Sequence, residues 1–216
     1  MADVLVAGST GLVGSAFLAA IKQNRSFREV IAVSRREIAS IGDAANIQQR
    51  IIDFDRLNDY KNELAATSTF CALGTTIKKA GTKERFRRVD YQLPLDLARI
   101  VLENNCQNFI LISAVGANPD SKIFYNRIKG ELEAQIQKLP FRSIHILRPS
   151  LILGQRDEVR MGEMIGKLFL QPISPLFPVR YRPIQAAAIA KKALHLLETG
   201  KAGIHIYEGA ALRGSE

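Results

Sequence analysis

The stretch LVAGSTGLVG, residues 5–14, decides the fold of this chain. Its glycines are Gly8, Gly11 and Gly14. The stretch follows a short apolar run and opens a segment, residues 12–21, in which apolar residues recur at helical spacing. A glycine-rich turn between a buried strand and a helix is typical of a phosphate-binding turn in a dinucleotide-binding unit.

Each glycine of this turn has a separate expected role. Gly8 permits the tight turn, Gly11 lets the backbone approach a pyrophosphate, and Gly14 allows the helix to pack closely on the sheet. Backbone N–H groups at the start of the helix would then face the phosphates. The spacing is G-x-x-G-x-x-G, whereas many dehydrogenases have G-x-G-x-x-G. A glycine-rich turn without a ligand is the alternative. The residues expected to bind the cofactor here are Gly8, Ser9, Thr10, Gly11, Leu12, Val13 and Gly14.

The rest of the chain alternates strand and helix patterns. Short apolar runs at residues 4–7, 30–33, 50–54, 69–73, 108–113, 143–147 and 204–207 predict strands, and residues 12–21, 85–103, 125–137, 162–170 and 185–198 predict helices. Such alternation predicts an α/β fold, a Rossmann-like doubly wound parallel sheet flanked by helices. A chain of 216 residues is short for two domains. We therefore expect one domain over residues 1–216, with a small substrate-side appendage at about 154–183.

Composition narrows the class of protein. The formal charge of +9 comes from cations spread along the chain without an aromatic-rich basic motif, so we expect no nucleic-acid partner. No apolar stretch is long enough to span a membrane, and no leader pattern is present, so we expect a cytoplasmic protein without a membrane partner. Cys71 and Cys106 lack metal-ligand spacing and are expected to be buried thiols. The three histidines are scattered, and no metal site is expected.

The residues after the second predicted strand bear on the choice of cofactor. NAD sites commonly place a carboxylate about twenty residues after the glycines, but this chain has Ser34, Arg35 and Arg36 there. A guanidinium binds a 2′-phosphate with paired hydrogen bonds, which favours NADP(H) over NAD(H). Solvated loop arginines are the alternative. Asp53, at the end of the third predicted strand, is expected to contact adenine.

Four separated stretches resemble the short-chain dehydrogenase/reductase superfamily, and more narrowly its atypical branch of Tat-interacting-protein-like oxidoreductases and nucleoside-diphosphate-sugar epimerases. They are CALGTTIKKAGTKERFRRVDY (71–91), LISAVGAN (111–118), FYNRIKGELE (124–133) and LRPSLILGQR (147–156). The resemblance runs from residue 4 to about 182.

This resemblance implies an NADP-binding Rossmann fold with a catalytic set of Ser113, Tyr125 and Lys129. It also implies further cofactor contacts, from Leu73, Gly74 and Thr75 after the fourth strand and from Arg148, Pro149 and Leu151 at the nicotinamide end. The sequence departs from the family in two places. Asp90 stands where many extended members have asparagine, and the C-terminal substrate region is short.

The chemistry of the tyrosine and lysine follows from their spacing. Residues four apart share one helix face, so Tyr125 and Lys129 can address one ligand. A nearby ammonium and an oxidised nicotinamide favour the phenolate, and Tyr125 would exchange a proton with a small carbonyl or alcohol while Lys129 binds the ribose. Ser113 would hydrogen-bond the substrate carbonyl. The remaining helix residues are expected to divide into Ile128 and Leu132 facing inward, and Glu131, Glu133 and Gln135 facing solvent.

Three functions stay open on the sequence alone: an NADP(H)-dependent oxidoreductase, a nucleoside-diphosphate-sugar epimerase, and an NADPH-binding regulator without turnover. The substrate is expected to be a small molecule. Some of the cations at residues 78–88, joined by Arg180 and Arg182, would attract an anionic one, although a solvated helix face explains most of them. The long helices at residues 85–103 and 125–137 are those through which many relatives form a homodimer.

Overall fold

The computed structural model describes residues 2–24, 26–42, 44–154 and 179–213. Across these ranges seven strands form one parallel sheet in the order β3-β2-β1-β4-β5-β6-β9. Their bounds are β1 Ala2–Ala7, β2 Val30–Ser34, β3 Ile47–Ile51, β4 Ala66–Cys71, β5 Asn108–Ile112, β6 Ser143–Arg148 and β9 Gly203–Glu208. A separate short pair joins β7 Ile152–Leu153 to β8 Ile184–Gln185. The predicted Rossmann-like sheet is confirmed.

Helices cover both faces of the sheet. Their bounds are α1 Leu12–Lys22, α2 Ile77–Ala80, α3 Lys83–Arg87, α4 Leu93–Glu103, α5 Phe124–Ile136 and α6 Ala186–Thr199. α1 and α6 bury their apolar stripes against one face, where Phe17 stacks on Phe70 with ring centroids 4.0 Å apart. α4 and α5 bury theirs against the other face. Among the described residues, no helix has the length and apolar character needed to cross a membrane.

The strand order reverses between β1 and β4, because the chain adds β2 and β3 on one side of β1 and continues through β4 on the other. The carboxyl ends of parallel strands lie at one edge of the sheet, and ligands bind at such a reversal point. The turn after β1 and the loop after β4 therefore meet where a ligand cleft is expected.

Two predicted elements differ from the structure. Residues 50–54 were expected to form a strand, but β3 ends at Ile51, because Asp53 accepts a hydrogen bond from the Asp55 backbone and starts a 3₁₀ segment, Phe54–Glu63. The helix predicted over residues 85–103 consists of α3, one π-helical turn at Arg88–Gln92, and α4. The helix predicted at residues 162–170 and most of the predicted appendage lie outside the described residues, and the one-domain division stays a prediction.

Candidate active site

The glycine turn requires glycine at two of its three positions. Gly8 has a φ of +83°, and a Cβ there would collide with the backbone carbonyl of Ala72, just after β4. A Cβ on Gly14 would collide with the carbonyl of Gly8, so this glycine lets α1 begin directly on the turn. Gly11 has an ordinary φ of −77° and is exposed. A Cβ on Gly11 would lie 3.2 Å from the Gly8 carbonyl oxygen, so tight packing accounts for part of the need for glycine there, and close approach of a ligand would add to it.

The start of α1 suits an anion. Gly11 contributes no capping side chain, and the first turn of the helix contains no acidic residue. A helix N-terminus with these properties presents N–H groups and a partial positive charge to phosphate. The turn and helix start therefore fit the pyrophosphate of a dinucleotide. Leu12 packs at the edge of this site, close enough that a Cβ on Gly154 would collide with it.

The other predicted residues of the turn differ in what they can offer. The buried hydroxyl of Ser9 donates to the carbonyls of Val6 and Val33 at 2.9 and 3.0 Å, so it joins β1 to β2. Val13 is buried in the core beneath the turn, whereas Thr10 is exposed. Within this stretch, any contact to a ligand from Ser9 or Val13 would thus come from the backbone.

The residues predicted at the adenosine end also divide by role. The Ser34 hydroxyl is buried, donates to the Arg36 carbonyl at 2.6 Å and accepts from Gln49 at 2.8 Å. The Asp53 carboxylate accepts from the Asp55 backbone at 2.9 Å. Both side chains therefore hold the local backbone. Arg35 and Arg36 are exposed at the carboxyl end of β2, where a guanidinium can reach a ligand.

A buried ion pair lies beneath the loop that follows β4. The Nζ of Lys129 is 2.8 Å from Oδ1 of Asp90, and these residues are 4% and 1% exposed. The other Asp90 oxygen accepts the backbone N–H of Thr75 at 2.8 Å. The π-helical turn carries Asp90, whereas α5 carries Lys129. Sequence reasoning noted Asp90 only as a departure from the family.

The short segment after β4 connects this ion pair to the glycine turn. Its first residue, Ala72, packs against Gly8, as described above. Two residues later, a Cβ on Gly74 would lie 3.2 Å from Asp90 Oδ1 and 3.6 Å from Lys129 Nζ. The loop backbone thus touches the predicted cofactor turn on one side and the ion pair on the other. Leu73, between them, packs against the core.

Tyr125 lies one helical turn before Lys129 on α5. Its ring is half-buried and tilts against Phe86 of α3, with ring centroids 5.6 Å apart. Burial raises the pKa of Tyr125 above its usual value; the Lys129 ammonium offsets part of this effect, and the Asp90 carboxylate adds to it. The sequence-based expectation that Lys129 favours the phenolate thus omitted the opposing charge.

The ion pair shifts the pKa of both its own members. Burial acts to lower the pKa of Lys129, but the Asp90 carboxylate and Tyr125 outweigh it and the pKa is raised. Burial raises the pKa of Asp90, against the attraction of Lys129.

Ser113 is tied to a carboxylate that sequence reasoning assigned to solvent. Its hydroxyl donates to Glu133 Oε1 at 2.5 Å, and both residues are buried, at 5% and 2% exposed. Glu133 also accepts a fork of hydrogen bonds from Arg148, the shortest at 2.6 Å. The expectation that Glu133 faces solvent is wrong, whereas Ile128 and Leu132 are buried as predicted. The signal for Glu133 was available, because it lies four residues beyond Lys129 on the same helix face.

The remaining predicted residues follow β6. The guanidinium of Arg148 is held by Glu133 and lies 3.7 Å from Glu208. Pro149 is buried, and its carbonyl accepts the backbone N–H of Val115 at 2.9 Å. Leu151 is 38% exposed at the end of this segment. β5 and β6 are neighbours in the sheet, so this segment and Ser113 lie at the same edge.

The cysteines are not among the predicted site residues, although Cys71 interacts electrostatically with the Lys129–Asp90 pair. Cys71 and Cys106 are free and buried, and burial raises the pKa of each thiol to about 11. Among the described residues, no group of three His, Cys, Asp or Glu side chains could hold a metal ion.

The parallel sheet, the glycine turn at its reversal point, and Tyr125 with Lys129 beside it define a Rossmann-like protein of the atypical short-chain dehydrogenase/reductase branch. The family model described as HIM1 matches residues 39–169, and the chain belongs to the HIM1 family.

Two curated relatives and one solved structure illustrate the similarity. Protein HTATIP2 of Rattus norvegicus is 29% identical over 97% of this chain and 87% of its own length. Protein FMP52, mitochondrial, of Saccharomyces cerevisiae is 31% identical over 94% of this chain and 86% of its own length. UDP-glucuronic acid 4-epimerase from Bacillus cereus in complex with NAD has a TM-score of 0.68 at 16% identity, covering 96% of this chain and 77% of that one. This last similarity shows the fold.

The expected cytoplasmic location is wrong on this comparison, because the yeast relative and other fungal relatives are named as mitochondrial proteins. The expectation was based on the lack of an apolar span and a leader pattern.

Proposed function

We propose that this chain is an NADP(H)-dependent oxidoreductase that transfers hydride to or from a small carbonyl or alcohol, with Tyr125 exchanging the proton. One observation carries this proposal: the loop after β4 touches the glycine turn through Ala72 and the Lys129–Asp90 pair through Gly74. A dinucleotide bound on the turn would therefore end beside the tyrosine and lysine of α5. Proximity of this kind converts proton and hydride transfer into steps within one complex.

The chain's own residues have distinct roles in this proposal. The nicotinamide cofactor supplies the hydride when bound. Tyr125 gives its phenolic proton to the ligand oxygen or takes one from it. Lys129 holds the ribose and stabilises charge beside the phenol. Ser113 donates its single hydroxyl proton to Glu133 in the structure, so it would accept a hydrogen bond from an alcohol ligand, and its hydroxyl would have to turn away from Glu133 to donate to a carbonyl.

The preference for NADP(H) is supported by Arg35 and Arg36. Both are exposed at the carboxyl end of β2, and the nearby Ser34 side chain is held by local hydrogen bonds. Two guanidinium groups suit a 2′-phosphate, which a carboxylate at this point would repel.

An anionic small molecule is the substrate class that we propose. The cations Lys78, Lys79, Lys83 and Arg85 are exposed on α2 and α3, beyond the loop that covers the ion pair. Lys83 lies over the ring of Phe124, the first residue of α5, at 5.5 Å from the ring centroid. Cations near the entrance to a cleft raise the local concentration of anions.

A carbonyl panel followed at the NADPH absorbance band tests the catalytic role. Tyr125→Phe keeps the ring and removes the transferable proton, and its loss typically lowers the rate by about 10²–10⁴-fold. Tyr60→Phe, in the 3₁₀ segment, is the matched control and should keep full rate. If Tyr125→Phe turned over every active substrate at the wild-type rate, the assignment would be wrong.

Fluorescence titration with NADPH and NADH tests the cofactor preference. The wild type should bind NADPH more tightly, and Arg35→Ala/Arg36→Ala should remove the preference by weakening NADPH alone. Arg142→Ala is a suitable control, because Arg142 is exposed at the opposite edge of the sheet, before β6. Equal affinities in the wild type would overturn the arginine argument and leave the role of Tyr125 untouched.

A nucleoside-diphosphate-sugar epimerase is the second candidate, supported by the fold shared with the Bacillus cereus 4-epimerase. Epimerisation would use the same residues but regenerate the cofactor, so absorbance would not change. Incubation with UDP-glucuronic acid, followed by NMR of the sugar, separates the two functions. Formation of a second epimer without net cofactor turnover would favour the epimerase.

A further inference from the structure

The Asp90–Lys129 pair raises a question about the state of Tyr125, since Asp90 brings a full negative charge to a position that an uncharged amide could fill. The backbone N–H of Thr75 needs only an acceptor oxygen, which asparagine also has. What the carboxylate adds is an ionic partner for Lys129. The ammonium and carboxylate are both buried, at 2.8 Å from each other.

We propose that Asp90 is a positioning residue that neutralises Lys129 and keeps the Tyr125 phenol protonated, so that the site is set to donate a proton to a carbonyl. The inference rests on the proposed role of Tyr125 and assigns it a direction, carbonyl reduction. Asp90 acts through Lys129 and does not itself touch the ligand.

The local electrostatics support this assignment. The titratable groups that act on Tyr125 are Lys129 on its own helix and Asp90 on the π-helical turn, while Cys71 of β4 acts on the lysine and the aspartate. The two charges of the pair have opposite signs, so the Asp90 carboxylate offsets part of the effect of the Lys129 ammonium on the phenol. Burial of the ring then dominates and favours the neutral phenol.

The backbone geometry around the pair is also specific. Asp90 sits in a single π-helical turn between α3 and α4, a feature that often marks functional sites. Gly74 lets the loop backbone lie directly on the pair, and both members of the pair are buried. A buried pair covered in this way acts more strongly on its neighbours than a solvated one.

Phenolate absorbance near 295 nm provides a test that needs neither cofactor nor substrate, and the chain contains five tyrosines and no tryptophan. Subtracting the titration of Tyr125→Phe from that of the wild type isolates Tyr125. Subtracting the titration of Asp90→Asn/Tyr125→Phe from that of Asp90→Asn isolates the Tyr125 titration in a protein that lacks the Asp90 carboxylate. We expect the Tyr125 midpoint to fall by about one pH unit or more in Asp90→Asn.

Two further variants separate charge from structure. Asp90→Glu keeps the charge and should restore the wild-type midpoint. Asp96→Asn, a half-exposed aspartate of α4 that pairs with Arg88, should leave the midpoint unchanged. Circular dichroism at each pH defines the range in which the protein is native.

An unchanged or higher Tyr125 midpoint in Asp90→Asn would overturn the proposal. If Asp90→Asn does not fold, a wild-type midpoint below about 10 still overturns the proposal, because the phenol would then lose its proton more readily than a free tyrosine. Because the titration is done without ligand, its failure leaves NADPH binding and the Tyr125→Phe rate test standing. Conversely, an inactive enzyme with the expected titration would count against the proposed function alone.

Discussion

Replacement of Glu133 by alanine tests the buried network that holds Ser113. In the native protein, the Glu133 carboxylate accepts the Ser113 hydroxyl at 2.5 Å and a fork of hydrogen bonds from Arg148. The substitution removes all of these acceptors and leaves a buried hydroxyl and a half-buried guanidinium behind. We expect a large loss of stability.

The magnitude follows from what is left unpaired. Removal of one partner of a buried ion pair costs about 3–5 kcal/mol. The Arg148 side chain is 22% exposed and also lies 3.7 Å from Glu208. The cost of leaving Arg148 without Glu133 is therefore at or below the lower end of that range. The Ser113 hydroxyl, when unsatisfied, contributes about 1–3 kcal/mol. We therefore expect the free energy of unfolding to fall by about 3–4 kcal/mol.

Urea unfolding followed by circular dichroism measures this loss. With a slope of about 2 kcal/mol per M, the midpoint should fall by about 1.5–2 M. Glu131→Ala is the matched control: it lies two residues away on α5, gains the same helix propensity, and loses partly exposed ion pairs with Arg87 and Arg127. An exposed pair contributes about 0–1 kcal/mol. Equal midpoints for the two variants would refute the network.

Two other predictions concern groups away from the site. Burial lowers the pKa of His145 from 6.5 to about 4. Between these two values the unfolded chain binds a proton that the native chain does not. The contribution of His145 to stability is therefore complete above about pH 6.5 and should decline as the pH falls towards 4. Urea midpoints at pH 7 and pH 5 should show this decline in the wild type and in a His195→Gln control. The decline should be smaller in His145→Gln. An equal decline in all three proteins would contradict the prediction. Burial raises the pKa of Cys71 and Cys106 to about 11, so both thiols should react with a thiol reagent in urea and neither promptly in the native protein. Rapid reaction of the native protein would show that the thiols are accessible.

The parts of the fold that the sequence predicts best are those in which local pattern and tertiary role agree. The glycine turn follows a buried central strand, and the strand, turn and helix reinforce one another. The edge strand β3 was displaced in the prediction, because its Gln48, Gln49 and Arg50 give no apolar run. The π-helical turn was also missed, since the spacing of apolar residues over so short a segment does not distinguish a π-helical turn from an α-helical one.

For the predicted site residues, the sequence predicts location better than the role of each side chain. Ser9, Ser34 and Asp53 were predicted by their positions beside the cofactor path, and this stays a prediction; the structure adds that their side chains form hydrogen bonds within the fold. A short polar side chain at a strand end can either bind a ligand or hold the local backbone. Position along the chain is the same for both roles, so the sequence could predict that these residues lie near the cofactor path but not which hydrogen bonds their side chains form within the fold.

The two buried carboxylates show why part of the site could be derived from the sequence and part could not. Glu133 follows Tyr125 and Lys129 at intervals of four, so helix geometry alone places all three on one face, and a charged residue on a face that is otherwise buried requires a partner. Asp90 has no such relation, because it reaches Lys129 from another element across a π-helical turn. Each residue proposed for proton transfer or ligand orientation thus depends on one carboxylate: Ser113 on Glu133, and Tyr125, through Lys129, on Asp90. A motif search that stops at serine, tyrosine and lysine misses the charges that set their protonation and orientation.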